Sequence, residues 1–221
     1  MIESLSPSIL LAMWAAGIAG GAAFVAWWRI VGPGYLWTAG GAALLTGLFA
    51  TLSGGWAAAG TALVVVGLLL ARRPVPAAVA YGLAGLAYLG HAAPSVGPVL
   101  AVTGALALGG TTCEMLLGHW YLVDPKLPRW ALRRLDAVGI GGLLMDIGIG
   151  LTLGAMATGA SFVLTWTWLG LGGMSVLLMV GVWFSLKERG YEGVMAATGL
   201  SYLAVLTSLG AVAVGRLLLA P

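Results

Sequence analysis

The sequence predicts an all-α integral membrane protein with about eight transmembrane helices. Hydrophobic residues make up 61% of the 221 residues and charged residues only 8%, whereas about a quarter of the residues in a soluble domain are charged. The 36 glycines would weaken soluble helices, but in a bilayer small residues let helices pack closely. We therefore expect a tight, Gly-rich bundle that forms one polytopic membrane domain over residues 1–221, without a soluble domain.

Eight apolar stretches are long enough to be helical spans, because a helix needs about 20 residues to cross a hydrocarbon core about 30 Å thick. The third stretch is short, and only Ser53, Gly54 and Gly55 separate it from the second. A re-entrant or broken helix is the alternative there. The predicted spans cover residues 8–29, 35–53, 56–71, 75–91, 97–123, 136–156, 160–186 and 191–216.

Basic residues concentrate in alternate turns between these spans. If the N-terminus lies outside, nine of the ten Lys and Arg residues fall on the inner side and only Arg216 falls on the outer side. This asymmetry follows the positive-inside rule. We therefore predict that both termini lie outside and that the protein is integral to the plasma (cytoplasmic) membrane of a bacterium. The inner basic residues are Arg29, Arg72, Arg73, Lys126, Arg129, Arg133, Arg134, Lys187 and Arg189.

Two segments of the chain are similar to each other. Residues 26–33 read AWWRIVGP and residues 118–125 read GHWYLVDP, with Trp, Val and Pro in register. Since four spans return the chain to its starting side, this match suggests parallel repeats over residues 1–95 and 96–221. The alternative is chance agreement within a biased composition.

Two carboxylates lie deep within the predicted spans, Glu114 in the fifth and Asp146 in the sixth. Counted from the inner ends of those spans, both lie roughly 13–15 Å deep. Each falls in a stripe of small residues of the kind that marks a packed helix face. We therefore expect the two acids to face each other, within reach of a hydrogen bond or one water. The stripes contain Ala107, Gly110 and Gly118 in one helix and Gly142, Gly150 and Gly154 in the other.

A carboxylate within a bilayer suggests a function, because its burial costs about 3 kcal/mol or more. Two close carboxylates do not both ionise readily, so one proton would be held between them. We predict that Glu114 and Asp146 are catalytic residues that handle protons. In the alternative, each acid is protonated or hydrogen bonded and only locks the helices together.

His119 lies about one helical turn from the predicted inner surface and is followed by Trp120 and Tyr121. A quinone head group needs hydrogen-bonding partners for its carbonyls, a flat ring to pack against and a proton route to water. These three side chains could supply such a site, and we predict that they bind the ligand. The alternative is an aromatic belt at the membrane surface, with His119 simply solvated.

The turn KLPRWALRR, residues 126–134, carries four basic side chains. We predict that Lys126, Arg129, Arg133 and Arg134 dock an anionic lipid or an acidic peripheral subunit. The alternative is a solvated loop whose charges only set the orientation of the chain.

Several other sites are not supported by the sequence. Cys113 is the only cysteine, so we expect no internal disulfide and interpret it as a small buried packing residue. His91 and His119 should lie near opposite surfaces, which excludes a haem held between them. Known metal-ligand and hydrolase motifs do not occur. We therefore expect no metal, and no cofactor bound by this chain alone, with a quinone as the candidate ligand.

Three functional hypotheses remain open. The first is an integral-membrane subunit of a respiratory or other electron-transfer complex, with a quinone or proton-handling site. Two groups of four spans resemble the membrane quinol subunits of respiratory oxidoreductases, although those chains are generally longer. The second is a small proton- or cation-coupled transporter, and the third is a structural or assembly subunit without a site. The expected partners are membrane lipids and either other subunits or further copies of the chain, but not nucleic acid.

Overall fold

The computed structural model describes residues 6–124, 127–153, 161–188 and 190–219, and within these ranges it contains helices and no strand. Six of its helices are long and apolar enough to cross a membrane, as expected of a membrane protein. These six are α1 and α4 to α8. In chain order the helices are α1 (Pro7–Trp28), α2 (Pro33–Thr51), α3 (Trp56–Leu69), α4 (Pro74–Val96), α5 (Pro98–Val123), α6 (Trp130–Thr152), α7 (Phe162–Ser185) and α8 (Tyr191–Leu219).

Proline and glycine define many of the helix ends. Proline suits the first helical position because its φ is fixed near the helical value and its missing N–H would have no helical acceptor. Glycines with positive φ form two of the tight turns: Gly54 (75°) and Gly55 (62°) between α2 and α3, and Gly97 (85°) between α4 and α5. The helices that begin with proline start at Pro7, Pro33, Pro74 and Pro98.

The predicted division between the second and third spans is confirmed. Helix α3 has 14 residues and is therefore about 21 Å long, which is shorter than a hydrocarbon core of about 30 Å. The number of predicted helices matches the number in the part of the chain that the structure describes. Length and hydropathy together support a membrane crossing for six of them.

Two helix boundaries differ from the prediction by five or more residues. Helix α4 continues to Val96 and includes Pro94 in its last turn, although Pro94 has no backbone N–H to donate to the preceding turn. Helix α6 begins at Trp130 rather than at residue 136, and Ala131 and Leu132 in its first turn are fully buried. The basic segment is therefore partly the first turn of α6.

Helices α1 and α5 lie at the centre of the bundle. Helix α1 packs against α2, α4 and α5, whereas α5 packs against α1, α4, α6 and α8. Helix α3 lies against α2 and α4, and α7 lies against α6 and α8. One end of the bundle carries the α1–α2, α3–α4, α5–α6 and α7–α8 turns. We call it the basic end. Its described basic residues are Arg29, Arg72, Arg73, Arg129, Arg133, Arg134 and Lys187.

Glycines bring the backbone of α5 into contact with the backbones of both neighbours. A Cβ atom on Gly109 would overlap the backbone of Gly17 in α1. On the other side, a Cβ on Gly110 would overlap Gly139 in α6. At such crossings the absence of a side chain is what lets the helices approach.

The predicted stripes of small residues serve more than one interface. Gly142 packs against Ala107, which confirms that α5 and α6 are direct neighbours. By contrast, Gly118 faces Thr198 in α8, and Gly150 faces Trp168 in α7. The predicted stripe member Gly154 lies outside the described residues.

We predict that Gly109→Ala destabilises the bundle by about 1–3 kcal/mol, the usual cost of overpacking. The added methyl group would overlap the Gly17 backbone, so α1 and α5 would have to separate. Gly41→Ala is the matched control, because a Cβ at Gly41 meets no atom within 4 Å. Denaturant unfolding in detergent micelles measures both variants. Equal stability of the two would show that the α1–α5 crossing is not tight.

Candidate functional site

The corrected start of α6 changes which acids lie at the same depth. Measured along the helices from the basic end, Asp136 lies about 9 Å from Trp130, Glu114 about 14 Å from Val123, and Asp146 about 24 Å from Trp130. Asp136 is therefore nearly level with Glu114, whereas Asp146 is not. The prediction that Glu114 and Asp146 face each other is wrong.

Asp146 forms a buried salt bridge with Arg216 of α8. The two Nη atoms of Arg216 donate to the two carboxylate oxygens over 2.5 and 3.1 Å. Thr103 Oγ1 of α5 donates to Asp146 Oδ1 over 2.6 Å, and Arg216 also donates to the Leu100 carbonyl over 2.6 Å. Arg216 and Asp146 are only 2% and 3% exposed. We call this group of residues the Arg216 lock, because it joins α5, α6 and α8.

Glycine makes room for the Arg216 lock. A Cβ atom on Gly104 would lie 2.6 Å from Arg216 Nη2. The guanidinium of Arg216 compensates the charge of Asp146, because a bidentate Arg–carboxylate pair is among the stronger hydrogen-bonded contacts. This geometry fits the alternative in which an intramembrane acid holds helices together.

Glu114 lies in a different environment. Its side chain is fully buried, and Ser201 of α8 donates a hydrogen bond to Oε2. Its Oε1 has no hydrogen-bonding partner within the described ranges. Tyr35 of α2 is also fully buried, and its hydroxyl lies near Cys113 and Glu114.

Asp136 is the carboxylate neighbour of Glu114. It is fully buried, and neither of its carboxylate oxygens has a hydrogen-bonding partner among the residues that the structure describes. It lies close enough to Glu114 for the two charges to interact. We call the group formed by Tyr35, Cys113, Glu114, Asp136 and Ser201 the acid cluster.

Asp136 and Tyr35 were not among the predicted site residues. The sequence predicts Asp136 at the edge of a span, because the arginines before it suggest a loop. One signal could have found it: Asp136, Gly139 and Gly142 continue the small-residue stripe of Asp146 at three-residue spacing. Tyr35 follows Pro33 closely in the sequence, and no comparable pattern marks it. The interpretation of Cys113 as a buried packing residue is confirmed, and its sulfur lies against Gly21.

The structure does not bring the three predicted quinone residues together. His119 is exposed, whereas Trp120 is half-buried with its ring packed against Gly34. Tyr121 is fully buried and donates a hydrogen bond to the Pro128 carbonyl. Consecutive residues on a helix point about 100° apart, so these side chains face three different surroundings.

The four predicted docking residues also separate. Arg129 and Arg133 donate to backbone carbonyls in the turn between α7 and α8, where a helix end leaves acceptors unpaired. Arg134 is exposed and lies 4.6 Å from the ring centre of Trp130. Lys126 lies outside the described residues.

Histidines and metal ligands give no further site in the described part of the chain. His91 Nε2 is 2.9 Å from Ser53 Oγ in the α2–α3 turn, whereas His119 lies near the basic end, so the two histidines are at opposite ends as predicted. No group of three or more His, Cys, Asp or Glu side chains within the described ranges could hold a metal ion. The chain matches no protein-family model, no curated protein and no solved structure.

We predict that Asp146→Asn destabilises the protein by about 3–5 kcal/mol, because it leaves the buried charge of Arg216 without a counter-ion. The double variant Asp146→Leu/Arg216→Met removes both charges and should recover most of that loss. Unfolding free energies in detergent micelles test both variants. Wild-type stability of Asp146→Asn would show that the salt bridge does not hold the three helices together.

Proposed function

We propose that this chain is an integral-membrane subunit of a respiratory or other electron-transfer complex, in which the acid cluster takes up and releases a proton. One observation carries this proposal: Glu114 and Asp136 are fully buried neighbours, and three of their four carboxylate oxygens lack a hydrogen-bonding partner among the described residues. The proposal includes eight crossings, both termini outside and the basic end on the cytoplasmic side of a bacterial plasma membrane.

Burial without an ion-paired cation among the residues that the structure describes supports a protonated cluster. An ionised carboxylate inside a bilayer costs several kcal/mol, and a second negative charge beside it costs more. The buried Arg216 is engaged by Asp146 and does not compensate this pair. The pair therefore carries at least one proton in our proposal.

The hydrogen bonds of Ser201 support the same protonation state. Its Oγ lies 2.7 Å from the Ala197 carbonyl and also contacts Glu114 Oε2. A hydroxyl has a single proton to donate and accepts with its lone pairs. Ser201 therefore shares one proton between the Ala197 carbonyl and Glu114 Oε2, so it compensates an ionised Glu114 only weakly.

The position of the cluster suggests the direction of proton exchange. Asp136 is nearer to the basic end than Glu114, by about 5 Å along the helices. A proton from water at that end would reach Asp136 first and then pass to Glu114. Toward the opposite end, the Arg216 lock and the Gly142–Ala107 contact close the space between α5 and α6. Proton exchange from the basic end alone would suit a subunit that exchanges protons with a redox partner.

A quinone remains the candidate ligand of this subunit. Its reduction consumes protons and its oxidation releases them, so a proton-holding cluster near the basic end would supply or receive them. Of the three predicted ligand residues, only His119 is exposed. We propose that a quinone head group approaches His119 from the lipid side, with electrons supplied by a partner subunit.

A proton- or cation-coupled transporter is the second candidate. Each half of the chain packs its helices in the same order, with the first helix against the second and fourth. The shift that matches residues 26–33 with residues 118–125 also pairs Gly17 with Gly109, which are in contact. We propose on this basis that residues 1–95 and 96–221 are parallel repeats, an arrangement known among transporters. Transport would then require the Arg216 lock to open.

We predict that Glu114→Gln and Asp136→Asn leave folding intact but reduce proton-linked turnover by about 100-fold or more, the usual contribution of a positioned proton donor. Each amide keeps the shape of the side chain and removes the titratable proton. Glu192→Gln is the control, because Glu192 is exposed at the start of α8.

Two assays separate the candidates. Purification in mild detergent followed by quinone turnover tests the electron-transfer subunit, which should travel with cofactor-bearing subunits. Proton flux into liposomes that contain this chain alone tests the transporter. Full activity of both amide variants, together with failed assembly of Gly109→Ala, would favour a structural subunit and contradict proton handling.

A further inference from the structure

A groove lined by glycines lies between α1, α4, α5 and α6. Its volume is about 400 Å³, and almost all of its lining is apolar. Helices that pack through glycine leave such a slot because no side chain fills it. We call this cavity the glycine groove; the glycines that line it are Gly17, Gly20, Gly21, Gly82, Gly85, Gly109 and Gly110.

The glycine groove opens toward the lipid. Phe24 and Leu86 at its rim are 59% and 65% exposed on the outer face of the bundle. Along α1 it extends from Ala16 to Trp28, which corresponds to about 18 Å. Half of a hydrocarbon core about 30 Å thick is about 15 Å, so the groove is as long as one leaflet is deep.

A positive charge lies at the end of the groove nearest the basic end. Arg134 lines the groove, and its guanidinium is 4.6 Å from the ring centre of Trp130 and 5.9 Å from that of Trp28. Unlike Arg129 and Arg133, it makes no hydrogen bond or ion pair within the described ranges. The two rings therefore position an exposed cation beside an apolar slot.

We propose that the glycine groove binds one acyl chain of an anionic phospholipid from the leaflet at the basic end, and that Arg134 binds the lipid phosphate. The apolar slot alone would accept any acyl chain. The cation adds a preference for an anionic head group, as basic residues at the cytoplasmic membrane surface do. This site is independent of the acid cluster and of the proposed function.

The size and charge of the groove disfavour a protein helix as its occupant. A helix is about 10 Å across with its side chains, so it could insert only side chains, and not its backbone, into a groove of about 400 Å³. An apolar helix would also cover Arg134 without compensating its charge. An acyl chain with a phosphate meets both conditions.

Lipid binding to the purified, delipidated protein tests the proposal. Native mass spectrometry in a neutral detergent would follow titration with phosphatidylglycerol and with phosphatidylcholine of the same acyl chains. The wild type should bind phosphatidylglycerol about fivefold more tightly, the effect expected of one basic residue at a membrane surface. Arg134→Gln should abolish this preference. Arg72→Gln should retain it, because Arg72 is an exposed arginine that also lies 5.9 Å from a tryptophan ring, that of Trp37, outside the groove.

A second pair of variants tests the slot itself. A side chain at Gly20 would project into free space, since a Cβ there meets no atom within 4 Å. Gly20→Leu should therefore fold normally and lose both lipids, whereas Gly41→Leu, equally unobstructed on α2, should bind them like the wild type. Equal affinity of the wild type for the two lipids would overturn the proposal. Retention of the preference by Arg134→Gln, or occupation of the groove by a quinone or a second copy of the chain instead, would overturn it as well.

Discussion

A carboxylate inside an apolar bundle has to be neutralised, either by a cation or by a proton, because an isolated charge there costs several kcal/mol. The buried acids of α5 and α6 meet this requirement in two different ways. Asp146 is neutralised by Arg216 through two hydrogen bonds. Glu114 and Asp136 form no ion pair with any residue that the structure describes, and we assign them a proton because three of their oxygens have no hydrogen-bonding partner there.

Glycine contacts between the helices bring the buried acids and Arg216 into their positions. Gly110 and Gly139 bring the backbones of α5 and α6 together, so that Asp136 lies next to Glu114. Gly104 leaves room for the guanidinium of Arg216. The same close packing, between α1 and α5 at Gly17 and Gly109, borders the glycine groove. A membrane bundle with bulkier residues at these crossings would hold its helices further apart and lose both arrangements.

Much of the fold could be predicted from the sequence, because apolar length and turn glycines specify helices directly. The candidate site could be predicted only in part. The start of α6 was missed because Arg133 and Arg134 suggested a loop, and this error moved Asp146 by about 9 Å along the helix axis. The positive-inside rule treats Arg216 as an ordinary outer charge, since it counts residues without regard to burial. No sequence pattern places Tyr35, on another helix, near Glu114.

Carboxyl ¹³C chemical shifts test the central claim most directly. The chain has seven Asp and Glu residues, so selective labelling gives few signals, and single amide variants would assign them. At neutral pH we predict the shift of an ionised group for Asp146 and that of a protonated group for at least one of Glu114 and Asp136. Ionised shifts for both Glu114 and Asp136 at neutral pH would contradict the claim that the pair holds a proton.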